Sequence, residues 1–335
     1  IMYSICCKTT LGDTLKKFYY TKTDSGKMFL WSILVPQLLG AVFVILLTGF
    51  VRTEEAYNAL LDNIFIQIIM VMLAQIGFLI VYFTYNRNID FKRASKINFK
   101  LGWRNTLICV LIGLIGVFGL NPLISCVDTF LDFIGYNLST SLPLPLDNFG
   151  WLILNIILLA GVPAILEELV FRGVILNGYK KLGALPAMVV TSLLFALIHG
   201  SLQQFVFPFL FGLILSFVAL KTGSVVAPMI IHFINNALVV ILNYVNFNFE
   251  VALPTWAFAL ISVAICAVAF VAIWLLGKLF KNVDKPISLT PEQQEQFVAM
   301  KNAEVKSNLP IILGAVLGGV FLLIDILSGL GVIAL

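Results

Sequence analysis

The chain has 335 residues, 60% of them hydrophobic and only 11% charged, with a formal net charge of +4 and a mean hydropathy of +1.03. No soluble globular domain of average composition has this profile, which leaves an integral membrane protein. The positive balance is explained below as orientation charge, so it is not a nucleic-acid footprint.

Apolar stretches of roughly 17 to 25 residues, each long enough to cross a hydrocarbon core of about 30 Å as helix, recur along nearly the whole chain. Their continuity, without the alternation of a lipid-facing strand, predicts an all-α, polytopic transmembrane helix bundle. Nine helices are expected, eight being the alternative count. The first runs from about Met28 to Val51, the second from Ile64 to Tyr85, and the third from Thr106 to Cys126 with a kink at Pro122. The fourth covers about Leu152 to Leu176, and two shorter ones follow at about Ala184 to His199 and Phe205 to Leu220. The last three span about Val225 to Leu242, Pro254 to Gly277 and Leu309 to Val332.

Between the third and fourth helices, S-T-S-L-P-L-P-L-D-N is a proline-punctuated segment expected on the extracytoplasmic membrane surface. T-G-S at 222–224 supplies a tight turn between the sixth and seventh. The connector from about 278 to 308 contains P-E-Q-Q-E-Q-F-V-A-M-K-N, an interfacial helix opened by Thr290 and Pro291. No internal repeat of the inverted-transporter kind is visible.

Basic residues fall on alternate loops and set the orientation. Lys8, Lys16, Lys17, Lys22 and Lys27 precede the first helix; Arg87, Lys92, Arg93, Lys96, Lys100 and Arg104 follow the second. Lys180 and Lys181, Lys221, and the connector lysines from Lys278 to Lys306 continue the alternation, whereas the intervening loops are acidic with Arg52 as their one base. The predicted topology has a cytoplasmic N-terminus and an outer C-terminus. No cleavable signal peptide is expected, because the first 27 residues hold five lysines and no apolar core. The five cysteines form no C-x-x-C or disulfide framework. Cys6 and Cys7 are read as free thiols, acylation being the alternative.

Ionisable groups at membrane depth are costly and are functional candidates by default. Glu167, Glu168 and Arg172 lie in L-E-E-L-V-F-R, His199 in F-A-L-I-H, and His232 and Asn236 in H-F-I-N-N. Adjacent glutamates point about 100° apart on a helix, and Arg172 stands four residues beyond Glu168. Glu168 and Arg172 therefore share a face and pair, while Glu167 faces elsewhere as a candidate general base. His232 and Asn236, also four apart, aim at one ligand and suit a developing oxyanion. Taken singly, each group also fits a plainer role: buried ion pair, helix-end histidine, or interhelical clamp. Together they suit hydrolysis. Helix length would put His199 roughly 25 Å from the cytoplasmic end, well beyond Glu167, unless the fifth helix is tilted or re-entrant.

The order E-E-L-V-F-R, F-A-L-I-H and H-F-I-N-N, over about 150–243, resembles the CAAX prenyl protease and bacteriocin-processing family of intramembrane endopeptidases, also called Abi or CPBP. The resemblance implies that Glu167 activates water, that His199 positions it, and that His232 and Asn236 stabilise the oxyanion. Glu168 and Arg172 would hold the helix and the local charge. It further implies a membrane-associated or lipidated peptide or protein as substrate. The expected organisation is residues 1–149 with three helices, a catalytic core at 150–243, and two helices with the connector at 244–335. No cofactor is expected; zinc, held by Glu167, His199 and His232, is the alternative. Partners expected are the lipid bilayer and the substrate, with no nucleic acid. A noncatalytic scaffold or immunity-type partner and a proton-coupled transporter are the competing functions. Helices outside the core have no assigned role.

Overall fold

Continuous apolar runs leave the backbone no polar partner in lipid except itself, and every run predicted above is helical in the computed structural model. The structure describes residues 16–49, 51, 53–137, 144–245, 253–284, 289–304 and 306–333. Cys6, Cys7, Lys8, Arg52, Glu250, Lys285 and part of the outer proline-rich segment (139–143) lie outside the described residues. Among the described residues the longer helices are α1 (Lys22–Thr48), α2 (Ile64–Asn86), α3 (Gly102–Phe133), α4 (Phe149–Leu182), α5 (Ala184–Leu197), α6 (Val206–Thr222), α7 (Val226–Tyr244), α8 (Thr255–Gly277), α9 (Pro291–Asn302) and α10 (Leu309–Gly329). The protein is an all-α, multi-pass membrane bundle.

Two expectations need correction. Among the described residues seven helices, not nine, are long and apolar enough to cross a membrane; α5 and α6, at 14 and 17 residues, fall short. At 1.5 Å per residue they reach roughly 21 and 26 Å along their axes. They form a hairpin that enters and returns at the lysine-bearing end, which leaves the alternation of the loops intact. Secondly, α3 runs through Pro122 to Phe133 instead of stopping near Cys126. Its outer turns are polar, and the Ser125 and Thr129 hydroxyls donate to carbonyls four residues back. Hydropathy marks where lipid ends, not where a helix does.

The loops assigned to the cytoplasm converge at one end. Lys17 pairs with Asp24 at 2.7 Å, inside the capping box in which Thr21 and Asp24 start α1. The Tyr20 hydroxyl bridges Asn86 and Ser95 at 2.7 and 2.9 Å. Ser224 donates to the Asn98 carbonyl, and Asn105 exchanges two hydrogen bonds with Lys281. Lys96 pairs with Asp284. α9 is capped by Thr290, as its sequence predicts, and docks Phe297 on Phe18 and Tyr19.

Within the bundle α1 packs between α2 and α10 and touches the second half of α4, while α3 packs on α7 and α8. Small residues permit these approaches. Ser25 of α1 donates to the Ile175 carbonyl of α4 at 3.2 Å. A Cβ at Gly178 would lie 2.5 Å from the Thr21 carbonyl oxygen, a backbone atom that no rotamer change can move. Gly178→Val should therefore separate α1 from α4 and destabilise the protein by about 1–3 kcal/mol, seen as a lower unfolding temperature in detergent. An unchanged temperature would mean that this contact is not tight.

Candidate active site

α4 is the backbone of the site, and it is not a regular α-helix. Residues Ile156–Gly161 and Leu169–Ile175 are π-helical, flanking the α-helical turn Val162–Glu168 that carries both glutamates. Such wide turns recur at functional sites. They rotate side chains away from strict helical positions and loosen the carbonyl ladder. Pro163 adds to this, because it has no N–H to give the carbonyl four residues back, that of Leu159. Asn236 of α7 takes that oxygen, donating from Nδ2 at 3.1 Å.

Glu168 is the hub. Its Oε1 accepts from Arg172 Nη1 at 2.6 Å and faces His232 Nδ1 at 3.0 Å. The Glu168 and Arg172 side chains are fully buried, and His232 nearly so. Arg172 also donates from Nη2 to the Gly212 carbonyl of α6 at 3.2 Å, and its guanidinium lies over the Phe195 ring at 4.5 Å. One charged pair thus joins α4, α6 and α7, and the aromatic contact adds α5. Glu167 points elsewhere: its Oε2 lies 4.0 Å from His232 Nε2, beyond direct hydrogen-bond reach, and its side chain keeps 17% exposure. Glu167 and Glu168 therefore address opposite nitrogens of one imidazole.

Phe195 fills the space between the histidines, edge-on to His199 at 5.1 Å and to His232 at 6.0 Å; Phe211 closes a third side of His232 at 5.7 Å. His199 Nδ1 bonds the Phe195 carbonyl at 2.7 Å, one turn back, which leaves Nε2 for another partner. His199 and His232 both pack edge-on to Phe195, which places the end of α5 beside α7. Among the described residues no hydrogen bond joins Glu167 to His199 or Asn236.

The predicted residues thus sort into a bonded set and two neighbours. Glu168, Arg172 and His232 are tied directly, with Glu167 beside His232. Asn236 shares the α7 face of His232, and His199 stands behind Phe195. Sequence reasoning gave Glu168 only a holding role and missed its bond to His232. It also missed Asn235, a buried amide that donates to Asn236 Oδ1 at 3.1 Å. Pro163 was the available signal for the Leu159 carbonyl. Glu168 Oε2, Arg172 Nε and Asn235 Oδ1 are buried without a hydrogen-bond partner among the described residues. Such atoms are costly to leave unpaired.

Among the described residues no three His, Cys, Asp or Glu side chains gather as a metal-ligand set. His232 has Nδ1 on Glu168 and Nε2 facing Glu167, and the steps below use these side chains alone.

Comparisons with curated proteins and with solved structures gave no match. Residues 149–238, from the start of α4 into α7, match the model of a family described as type II CAAX prenyl endopeptidase Rce1-like. The resemblance carried by the three motifs is borne out: the segment that builds this site is similar to the type II CAAX prenyl endopeptidases, set in a multi-pass membrane protein.

Proposed function

We propose that the protein is an intramembrane endopeptidase that hydrolyses a peptide bond of a membrane-associated or lipidated peptide or protein. The observation that carries this reading is the pair of glutamates on opposite nitrogens of His232, one sealed and ion-paired, the other open. A structural ion pair needs Glu168 and Arg172 only. It gives no reason for a second, partly open carboxylate beside the same ring.

In the proposed reaction Glu167 takes a proton from a water held near it by His199 Nε2, and the hydroxide attacks the carbonyl carbon. The carbonyl π electrons move to oxygen. His232, held at Nδ1 by Glu168, turns Nε2 toward that oxyanion. The Asn236 amide, held by one N–H on the Leu159 carbonyl and by Asn235 on its oxygen, offers its second N–H. Collapse of the tetrahedral intermediate breaks the C–N bond as Glu167 returns its proton to the leaving nitrogen, giving a carboxylic acid and an amine, and the acid proton then passes to the amine to leave carboxylate and ammonium. Arg172 stays paired with Glu168 throughout.

Purified protein in liposomes, given a panel of membrane-associated peptides in ¹⁸O water, should yield new termini with the label in the new carboxylate. A scaffold or a transporter would yield no new termini, and that result would refute the reading. Asn236→Ala should lower kcat by about 10²- to 10³-fold with a small change in KM, the usual cost of one oxyanion donor. A rise in KM alone would place Asn236 in ground-state binding instead.

A further inference from the structure

His199 stands past the end of α5, where the helix ladder no longer fixes the chain. α5 closes at Leu197, and His199 is held to it by its N–H on the Ala196 carbonyl at 3.2 Å and by Nδ1 on the Phe195 carbonyl at 2.7 Å. Gly200 follows with φ +63, a left-handed turn that glycine makes at no steric cost. Beyond it the chain leaves the helix direction, and its course to α6 is set by partners outside the hairpin.

Those partners come from α10, which lies outside the segment matched to the peptidase family. One face of α10, at 318, 321 and 325, follows the chain from 197 to 202. A Cβ added at Gly318 would lie 2.9 Å from the Leu197 side chain, and one added at Gly200 would lie 3.5 Å from the Phe321 Cβ. Asp325, the one charged residue of α10, accepts the Leu202 backbone N–H on Oδ2 at 2.7 Å. The three contacts bracket His199, with Leu197 before it and Gly200 and Leu202 after it.

Asp325 is itself braced. The buried Tyr136 donates its hydroxyl to the same Oδ2 at 2.5 Å, and the Asn137 N–H donates to the Gly329 carbonyl at 2.7 Å, so the chain after α3 fixes the end of α10. The Tyr136 bond alone would serve as glue between helices. The Leu202 bond does something else: it fixes a backbone turn three residues from an imidazole whose Nε2 is left for another partner. A reacting group misplaced by about 1 Å costs about 10²-fold in rate.

We propose that Asp325 is a positioning residue for His199: through the Leu202 N–H it sets the direction in which the imidazole leaves the end of α5, and α10 thereby takes part in the reaction. Asp325 does not touch the reacting atoms. The effect on cleavage rests on the reading of His199 as the residue that holds the attacking water; the placement of the ring by Asp325 does not.

The chain has two histidines, so ¹⁵N-histidine labelling gives one set of ring signals for each, assigned by His199→Gln and His232→Gln. In Asp325→Ala the His199 signals should shift or broaden while those of His232 keep their positions, because Glu168 holds His232. Cleavage should fall by about 10- to 100-fold in kcat, with KM changed by less than about twofold. Asp325→Asn, whose amide oxygen can still accept from Leu202, should restore most of both readouts. Tyr136→Phe removes a single hydroxyl and should move the His199 signals alone, by less; it decides the matter if Asp325→Ala does not fold. Unmoved His199 signals, equal displacement of both histidines, or a rise in KM at constant kcat overturns the proposal. If the wild-type protein cleaves nothing, the catalytic reading of His199 fails by itself, and the ring signals still decide whether Asp325 places it.

Discussion

Arg172→Ala is expected to remove about 3–5 kcal/mol of stability, because it strands Glu168 as an uncompensated buried charge. Both side chains are fully buried, and the same guanidinium reaches the Gly212 carbonyl and the Phe195 ring, so α4, α5 and α6 lose their common tie. The loss should appear as a fall in the yield of monodisperse protein and in unfolding temperature. Glu168→Gln combined with Arg172→Met removes both charges and should recover much of that stability, since paired removal leaves no orphan ion. It should not recover cleavage, because His232 Nδ1 then faces a neutral amide instead of a carboxylate. Recovery of both would reduce Glu168 to a structural partner, and a single Arg172→Ala protein as stable as wild type would show that the pair is not sealed from water.

Glu167→Gln is the opposite kind of change. The substitution keeps the shape, and Glu167 has neither an ion pair with Arg172 nor a hydrogen bond from His232 at its 4.0 Å separation. Stability should therefore shift by only a few tenths of a kcal/mol, as for substitutions away from buried networks. Removing a general base should nonetheless lower kcat by about 10²- to 10⁴-fold. The contrast with Arg172 separates a group that works on the substrate from one that holds the site together. Equal damage to folding and activity in Glu167→Gln would erase that distinction.

Helix class and membrane character were legible because lipid exposure writes itself as continuous apolar runs. The Glu168–Arg172 pair and the shared face of His232 and Asn236 were legible for a local reason, the four-residue spacing. The bond from Glu168 to His232 was not, since it joins residues 64 apart and depends on how α7 crosses α4. Nor were the π-helical turns, which arise from competition between the carbonyl ladder and side chains on neighbouring helices. Pro163 announced a break in that ladder, but not that Asn236 would fill it. The partners of Asp325, Tyr136 and Leu202, come from two distant loops, so no local spacing announces them. The shortness of α5 and α6 was written in their lengths, and only their packing showed that Phe195 stands against both His199 and His232.

The most direct test of the central claim is single-turnover cleavage of a membrane-associated peptide in liposomes by wild type and Glu167→Gln, each with and without a zinc chelator. The account predicts cleavage by wild type that the chelator leaves unchanged, and cleavage lost in Glu167→Gln at an unaltered unfolding temperature. Full cleavage by Glu167→Gln, or loss of wild-type cleavage on chelation that zinc restores, would contradict it.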